Sequence, residues 1–365
     1  MKKVTLISLG QTGAGPVYSL EMAKALAASS ECQLQVIVSE SMTNIEAWKD
    51  AFENTDVDFN VVKAYKHTHL SVFLSFFNYV RKYKIVRLIK AFHPDVFYIP
   101  FGLMWSRFIY AFIPRDIKII STIHDVEPHD RFNLAEVVSG FLTKGSKRFV
   151  DGYVILNSKE KEKVAERFRK PVAVIPHASF SYYFKGVSSS RELKNVIGFF
   201  GRIEPYKGLD LLVEAFEKVD IKGIRLQIAG SGAIDKDLLE RINNNDSITL
   251  INRYIKDEEF QPLLDKVDFV VLPYKRASQS GVIPMCFAYG KTVVATNVGA
   301  LAEQIPAGTG VITEPDAQCI AQEIENLYSN SDLIFRYGKN AQDYAERELS
   351  WNHSAELLLE FIEKI

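Results

Sequence analysis

The segment Val196-Ile-Gly-Phe-Phe-Gly-Arg-Ile-Glu-Pro-Tyr-Lys-Gly-Leu-Asp-Leu-Leu-Val-Glu-Ala-Phe216 decides the fold class of this 365-residue chain. It opens with a short apolar run that is typical of a buried strand and ends at Gly201. A loop with two cations, Arg202 and Lys207, follows, and an amphipathic segment typical of a helix comes next. Strand–loop–helix units of this kind build α/β folds.

The same unit repeats along the chain. Short runs rich in Val, Ile and Phe, with little polar alternation, are separated by longer amphipathic stretches. Runs without alternation are typical of parallel strands that helices cover on both faces. Besides the run at 196–200, we predict strands at residues 4–9, 34–38, 96–99, 117–123, 152–156, 172–175, 225–229, 269–272 and 292–296.

A small, polar segment at residues 180–195 interrupts this repetition and is typical of a linker between domains. We therefore predict two Rossmann-like domains, residues 1–185 and residues 186–345, that face a central cleft. Residues 346–365 are predicted to form a C-terminal helix that can pack back on the N-terminal domain. In such parallel sheets, ligands bind beyond the carboxyl ends of the strands.

Composition narrows the functional classes. With 47% hydrophobic and 24% charged residues, the chain is ordinary globular material. Three scattered cysteines, Cys32, Cys286 and Cys319, are too few for a disulfide framework, and they fit a reducing compartment. The short apolar run near the N-terminus is typical of a first strand, and no run is long enough to span a membrane. We expect a cytoplasmic protein.

Charge is unevenly distributed between the two halves of the sequence. Residues 1–185 carry 25 Lys and Arg against 18 Asp and Glu, whereas residues 186–365 carry 19 against 27. A basic half favours an anionic partner, such as a membrane surface or a phosphorylated substrate, although uneven surface charge without a function is equally compatible. No feature indicates a nucleic-acid partner.

Two candidate loops lie in the first half of the sequence. Gly10-Gln-Thr-Gly-Ala-Gly15 follows the first predicted strand and precedes a helix, an arrangement that cradles anionic substrates. Its glycine spacing is unusual for dinucleotide binding. Dinucleotide binding and a purely structural turn remain as alternatives. In the second loop, His124 and Asp125 lie at the carboxyl end of a predicted strand. His124 there has either a functional role or a purely structural one in packing.

Two further candidate loops lie in the second half. Arg202 and Lys207 suit a diphosphate leaving group, the alternative being solvated surface charges. Ser278-Gln-Ser-Gly281 precedes a predicted helix with Pro284 in its first turn. Hydroxyls and free N–H groups at a helix start bind anions, although a plain N-cap serine is compatible as well.

Several segments in register identify a family. The strings GRIEPYKGLDLLVEAF (201–216), IAGSG (228–232), YIKDEEF (254–260), LPY (272–274) and AYGKTVVATNVGALAE (288–303) together resemble retaining glycosyltransferases of family four, which have the GT-B fold. The likeness is strong over residues 195–350 and looser over residues 1–180. The segment Ser-Gln-Ser-Gly-Val resembles the phosphate loop of a subset of that family.

The resemblance implies that residues 1–185 form the acceptor domain and residues 186–345 the nucleotide-sugar donor domain. It also implies roles for individual residues. The catalytic set would be His124, Arg202 and Lys207. The diphosphate would be bound by Gly13, Gly15, Gly201, Arg202, Lys207, Ser278, Gln279, Ser280, Gly281 and Val282. The nucleobase and ribose would be bound by Gly230, Arg253, Tyr254, Ile255 and Glu303. The acceptor would contact Gly10, Gln11, Thr12 and Asp125.

The sequence departs from the family pattern at one point. Many members carry two glutamates eight positions apart, and the equivalent positions here are Ala277 and Met285. Sugar orientation and ribose binding must then rely on other groups. We expect no metal and no cofactor besides the donor substrate, because the only metal-type motif, Asp56-Val-Asp58, precedes a strand-like run in the other domain and is a chance match.

The resulting functional prediction is transfer of a hexose or related sugar, with retention, from a nucleotide-diphosphate sugar to a glycan or lipid-linked acceptor in surface-polysaccharide synthesis. The alternatives are a non-hydrolysing sugar-nucleotide epimerase, which shares the fold, and a non-catalytic nucleotide-sugar-binding partner protein. The basic, aromatic stretches at 69–92 and 101–113 favour either contact with the inner face of a membrane or a core with solvated charges.

Overall fold

The computed structural model describes residues 1–65, 71, 75, 77–124, 145–180 and 192–365. The chain divides into two compact units: Met1–Pro176 with Trp351–Ile365, and His177–Ser350. The division falls after residue 176, whereas the predicted boundary between 185 and 186 lies outside the described residues. Residues 346–350 of the predicted C-terminal segment belong to the second unit.

The first unit is built on a wholly parallel sheet. Its strands are β1 (Lys2–Ser8), β2 (Cys32–Ser39), β3 (Asp58–Val62), β4 (Val96–Ile99), β5 (Lys118–Ile123), β6 (Gly152–Ile155) and β7 (Val172–Val174). They lie in the order β3-β2-β1-β4-β5-β6-β7. The order reverses at β1, which pairs with both β2 and β4. A crevice at the carboxyl ends of β1 and β4 is therefore the expected ligand site of this unit.

Helices cover both faces of this sheet. They are α1 (Ala14–Ala28), α2 (Ile45–Phe52), α3 (Tyr79–Phe92), α4 (Ser106–Phe112), α5 (Lys161–Phe168) and, from the end of the chain, α13 (Trp351–Lys364). Successive strand residues point to opposite faces, so Val36 and Val38 pack in one core and Ile37 in the other. Because both faces are buried, every one of these positions is apolar, which explains the unbroken apolar runs of the sequence.

The C-terminal helix α13 completes the first unit. Leu358, Leu359 and Ile362 are buried in the same core as α1 and β1. At Gly152 in β6, the ring of Phe361 occupies the space that a Cβ atom would need. The helix therefore lies directly against the sheet, and it is part of this unit's core.

The second unit repeats the architecture. Its strands are β8 (Val196–Phe200), β9 (Arg225–Gly230), β10 (Ile248–Asn252), β11 (Phe269–Leu272), β12 (Val293–Thr296) and β13 (Val311–Thr313). They are parallel, in the order β10-β9-β8-β11-β12-β13, and the order reverses at β8. The helices are α6 (Leu209–Lys218), α7 (Lys236–Asn243), α8 (Asp257–Leu264), α9 (Val282–Ala288), α10 (Leu301–Gln304), α11 (Ala317–Ser329) and α12 (Ser331–Glu348).

Two parallel sheets with interleaved helices confirm the predicted α/β class. Strands β4, β8 and β11 have the predicted bounds, and the other predicted strands differ by one or two residues at one or both ends. The predicted strands did not include β10 and β13, and β3 was indicated only as a strand-like run after the Asp56-Val-Asp58 motif. No helix within the described parts of the chain is both long and apolar enough to cross a membrane.

Candidate functional site

The reversal point of the second sheet carries the first candidate site. The loop after β8 approaches the loop after β9 so closely that a Cβ atom at Gly230 would overlap the carbonyl oxygen of Gly201. Two backbone hydrogen bonds connect these loops: Gly201 N–H donates to Ala229 O at 3.1 Å, and Ile203 N–H donates to Ser231 O at 2.8 Å. The backbone on either side of Arg202 is thereby fixed at the carboxyl edge of the sheet.

The two predicted cations differ in their surroundings. Arg202 is exposed, and its guanidinium makes no hydrogen bond or ion pair with any residue that the structure describes. Lys207 is half-buried, and its Nζ lies 3.8 Å from the ring centroid of Tyr274, which is fully buried. A buried ring face attracts and orients an ammonium group, so Lys207 is held at a defined position. Lys275 N–H donates to Tyr206 O at 2.8 Å and joins the two loops.

The predicted phosphate loop is held by Gln304, a residue that no motif in the sequence indicates. Ser280 is 1% exposed, its N–H donates to Oε1 of Gln304 at 2.7 Å, and Gln304 Nε2 donates to Ser280 O at 3.1 Å. The hydroxyl of Ser280 lies 3.2 Å from the hydroxyl of Tyr274 and accepts from Val282 N–H at 3.3 Å. The Ser280 and Val282 N–H groups are thus engaged within the protein, and Ser280 anchors the loop.

The neighbouring Gln279 has a different character. Its Oε1 is buried and has no hydrogen-bond partner among the described residues. A buried acceptor without a donor costs free energy of about 1–3 kcal/mol, so this atom is suited to a hydroxyl supplied by a ligand. The two positions that lack glutamate offer no such group: Ala277 is half-buried, and Met285 is 6% exposed within α9.

A buried histidine lies beside the same loop. His177 Nε2 is 3.9 Å from the position that a Cβ atom would take at Gly281. Its Nδ1 is 2.8 Å from the carbonyl oxygen of Ala178, which can only accept, so Nδ1 carries a proton. Burial lowers the pKa of His177, which favours a neutral ring. No motif in the sequence indicates a role for this histidine.

The predicted nucleobase loop follows β10. Arg253 forms a bidentate ion pair with Glu259, at 2.8 and 2.6 Å, and donates to Tyr254 O at 3.0 Å. This pairing with Arg253 and the Lys256 N–H bond lower the pKa of Glu259 to about 2. Arg253 therefore shapes the loop, while Tyr254 is 72% exposed and Ile255 packs in the core.

Two other residues of this region have defined neighbours. Asn252 bonds both the N–H and the carbonyl of Gly232, at 3.2 and 3.1 Å, and so fixes the turn that contains Gly230. Glu303 is exposed on α10 and lies close enough to Tyr344 to help raise the pKa of that phenol, after burial and Glu348.

The first unit presents a candidate site at its own reversal point. The Phe101 ring fills the space where a Cβ atom would stand at Gly15. The ring centroid of His124 lies 4.2 Å from that of Phe101 and 4.8 Å from that of Tyr18. His124 Nε2 is 2.8 Å from the carbonyl oxygen of Pro100, so Nε2 carries a proton. The structure thus brings the glycine loop and the strand-end histidine together.

The remaining predicted residues of this unit are only partly placed. Gln11 is buried, and its side-chain Nε2 donates to Tyr65 O. Its backbone carbonyl accepts from Thr43 N–H at 2.9 Å. Its side chain therefore holds the loop, and its contact with an acceptor stays a prediction. Gly10, Thr12 and Gly13 lie in the same loop, with Thr12 and Gly13 exposed. Asp125 lies outside the described residues.

The metal-type motif has protein partners. The Asp58 carboxylate accepts hydrogen bonds from Gln35 at 2.6 Å and from Asn60 at 2.9 Å, at the start of the edge strand β3. Within the described ranges, no three His, Cys, Asp or Glu side chains are grouped so that they could hold a metal ion.

Both units resemble those of solved protein structures. The two sheets and their neighbours in solved structures define the GT-B fold: the chain matches a glycosyltransferase from Rickettsia africae with a TM-score of 0.73, at 18% identity, covering 100% and 98% of the two chains. It matches Anabaena HepE in complex with UDP with a TM-score of 0.71, at 18% identity, over the full length of both chains.

The family models are more specific. Residues 15–178 match Glycosyltransferase Family 4, and residues 194–330 match Glycosyl transferases group 1. A D-inositol 3-phosphate glycosyltransferase of Corynebacterium urealyticum is 26% identical over 297 residues, which cover 70% of this chain and 69% of that protein. Other curated relatives match over about half of their length. The chain therefore carries the two domains of a GT-B glycosyltransferase.

Proposed function

We propose that this glycosyltransferase moves a hexose or related sugar from a nucleotide-diphosphate sugar to a glycan or lipid-linked acceptor, with retention of configuration. The proposal rests on one observation above all. Two cations, the exposed Arg202 and Lys207 over the ring of Tyr274, lie on one loop at the reversal point of the second sheet. Backbone hydrogen bonds fix that loop.

The chemistry of the leaving group explains why cations belong there. When the bond from the anomeric carbon to the phosphate oxygen breaks, negative charge develops on the departing diphosphate. Fixed positive groups stabilise that charge without reorganising, and one such donor contributes roughly 3–4 kcal/mol to lowering the barrier. Arg202 offers a planar fork for two phosphate oxygens, and Lys207 offers a point charge. We propose that these two side chains perform this task without a metal.

The donor sugar itself needs hydrogen-bonding partners. In place of the absent glutamates, Gln279 Oε1 would accept a hydrogen bond from a sugar hydroxyl, which would satisfy its buried lone pairs. His124, oriented by Phe101 and Tyr18, would lie near the transferred sugar. We assign no residue as a covalent nucleophile. We further propose that the enzyme acts in the cytoplasm, at the inner face of a membrane, in surface-polysaccharide synthesis.

A binding experiment tests the donor site. The full chain is melted with UDP, GDP, ADP and their common sugars, with and without EDTA, because a ligand that binds only the folded state raises the melting temperature. The proposal predicts a shift with one nucleotide that EDTA leaves intact. Arg202→Ala and Lys207→Ala should each remove most of this shift, whereas Lys222→Ala, an exposed cation before β9 at the opposite edge of the sheet, should not.

The outcomes separate the alternatives. Conversion of the donor to a second sugar nucleotide without any acceptor would identify an epimerase. Binding that persists in both cation variants, together with the absence of any turnover, would favour a non-catalytic partner protein. A shift that disappears with EDTA would overturn the metal-free reading while leaving the nucleotide site in place.

A further inference from the structure

A long basic stretch of the first unit has no counterpart in the second. Between residues 59 and 115 the sequence contains nine Lys and Arg residues and a single acid, Asp95, in a chain whose net charge is −1. Helix α3 lies in this stretch and has no acidic residue. The excess of positive charge is therefore concentrated on the elements around α3.

Exposed apolar side chains are concentrated on the same elements. In the described part of the chain, nine large hydrophobic residues are exposed. Five of them lie on α3, on α4 or two residues before α3: Phe77, Tyr79, Val80, Tyr83 and Phe112. A sixth, Phe101, lies in the loop after β4. Val80 is 81% exposed and Tyr83 is 52% exposed. Isolated exposed apolar residues are ordinary, but a group of this kind on one surface marks an interaction site.

The geometry of α3 separates the fold from this surface. Ile85, Val86 and Ile89 face the sheet and are fully buried. The opposite face of α3 borders a groove of about 830 Å³, which we call the α3 groove, lined by Tyr79, Val80, Tyr83, Lys84, Arg87, Leu88, Ala91 and Phe108. Burial of the first face accounts for the helix, so the composition of the second face needs another explanation.

Contacts beneath the surface hold the residues that line the α3 groove. Lys82 is 3% exposed, and its Nζ lies 4.4 Å from the ring centroid of Tyr79 and 4.9 Å from that of Phe108, which connects α3 with α4. Arg81 donates to Ala64 O at 2.7 Å. The groove-lining aromatic rings are thus held in place by contacts beneath the surface.

The outer cations are available to a partner. Lys84, Arg87 and Lys90 are exposed and form no ion pair with any residue in the described ranges. In the second unit, by contrast, cations such as Arg241 and Lys275 are paired with carboxylates. Charges without protein counter-ions, next to exposed aromatic and aliphatic side chains, are complementary to an anionic lipid surface.

We propose that the α3 groove and the surrounding face of α3 dock on an anionic lipid bilayer. Val80, Tyr83 and Phe77 would enter the headgroup boundary, where aromatic rings and small apolar side chains are favoured, and Lys84, Arg87 and Lys90 would contact lipid phosphates. A soluble polyanion would use the cations alone and would leave the apolar side chains in water. The inference rests on the membrane location proposed above, but it does not depend on the donor site.

Vesicle sedimentation of the full chain tests this docking surface. The protein should bind vesicles of phosphatidylcholine with phosphatidylglycerol, bind phosphatidylcholine alone much more weakly, and dissociate in part as salt is raised. Each basic residue near an anionic surface contributes about fivefold to partitioning, so Lys84→Glu with Arg87→Glu should reduce binding by roughly 25-fold or more. Lys222→Glu with Lys236→Glu, a matched reversal on exposed residues of the second unit, should retain binding.

A second pair of variants tests the apolar contribution. Val80→Ser with Tyr83→Ser keeps every charge and should reduce the binding that remains at high salt, where electrostatic attraction is screened. Nucleotide-induced melting shifts are recorded for all variants and should equal those of the unchanged protein, which separates failure of the donor site from failure of this surface. Equal binding of the charge-reversal pair and its control would overturn the proposal. So would binding to heparin that is undiminished in the serine variants when no vesicle binds.

Discussion

The clamp formed by Gln304 on the phosphate loop leads to a sharp prediction. Gln304 accepts from the Ser280 N–H at 2.7 Å and donates to the Ser280 carbonyl at 3.1 Å, and Ser280 is almost fully buried. Gln304→Leu has nearly the same size but removes both hydrogen bonds. Two buried backbone groups would then lack partners, at about 1–3 kcal/mol each. Some relaxation of the loop reduces the total to about 2–4 kcal/mol.

That free energy can be read as a melting temperature. For a unit of 150–250 residues, a loss of about 1 kcal/mol lowers the melting temperature by roughly 2–4 °C, so Gln304→Leu should lower it by roughly 4–16 °C. Because Gln279 and Gly281 flank Ser280, nucleotide affinity should fall as well, by about tenfold or more. Calorimetry and titration with the nucleotide found in the melting screen measure the two effects.

A conservative variant provides the control. Gln304→Glu keeps an acceptor for the Ser280 N–H but replaces the donating amide with an oxygen that faces the Ser280 carbonyl. We expect it to lose affinity with a smaller loss of stability than the leucine variant. If Gln304→Leu retained the nucleotide affinity and melting temperature of the unchanged protein, the argument that this side chain positions the loop would be refuted.

Three further predictions concern other parts of the second unit. Gly230→Ala should lower the melting temperature by several degrees and impair nucleotide binding, since the new methyl group would overlap the Gly201 carbonyl oxygen; calorimetry with bound and free nucleotide measures both. Burial lowers the pKa of Lys291 to about 8, below that of the unfolded chain, so stability should rise as pH increases from about 8 towards 10, and Lys291→Met should flatten this rise in melting profiles. The ion pair with Arg253 lowers the pKa of Glu259 to about 2, so its stabilising effect should be lost as pH falls through the range from 4.5 to 2, and Glu259→Gln should show a shallower acid transition by circular dichroism.

The strand framework was predictable because both sheet faces are covered. Burial on two sides forces unbroken apolar runs, and Val196–Phe200 and Phe269–Leu272 have the bounds that the sequence indicates. The edge strand β10 was missed because only Ile248 of its five residues is fully buried, and β13 because it has three residues of which only Thr313 is buried. A short or half-exposed strand leaves too little apolar pattern to be distinguished from a loop.

The candidate site was predictable only where one loop carries it. Arg202 and Lys207 follow the end of β8 at Phe200 within seven residues, so the sequence indicates them directly. Gln304 lies 24 residues from its partner Ser280, and no local signal connects the two. The neighbours of His124 are also distant from it in sequence, because Tyr18 lies on α1 and Phe101 lies in the loop after β4. Pairings of this kind depend on the sheet order, which apolar patterning does not specify.

The place of helix α13 has a consequence for biosynthesis. The first unit needs Trp351–Lys364 to cover one face of its sheet, and Phe361 lies directly against β6. A ribosome releases β1 to β7 early, yet their last covering helix is translated only after the whole second unit. The newly made first unit therefore exposes an apolar surface of its sheet until the second unit has been translated. Expression of residues 1–176 alone should yield an aggregation-prone fragment, and adding Trp351–Lys364 through a linker should restore its solubility.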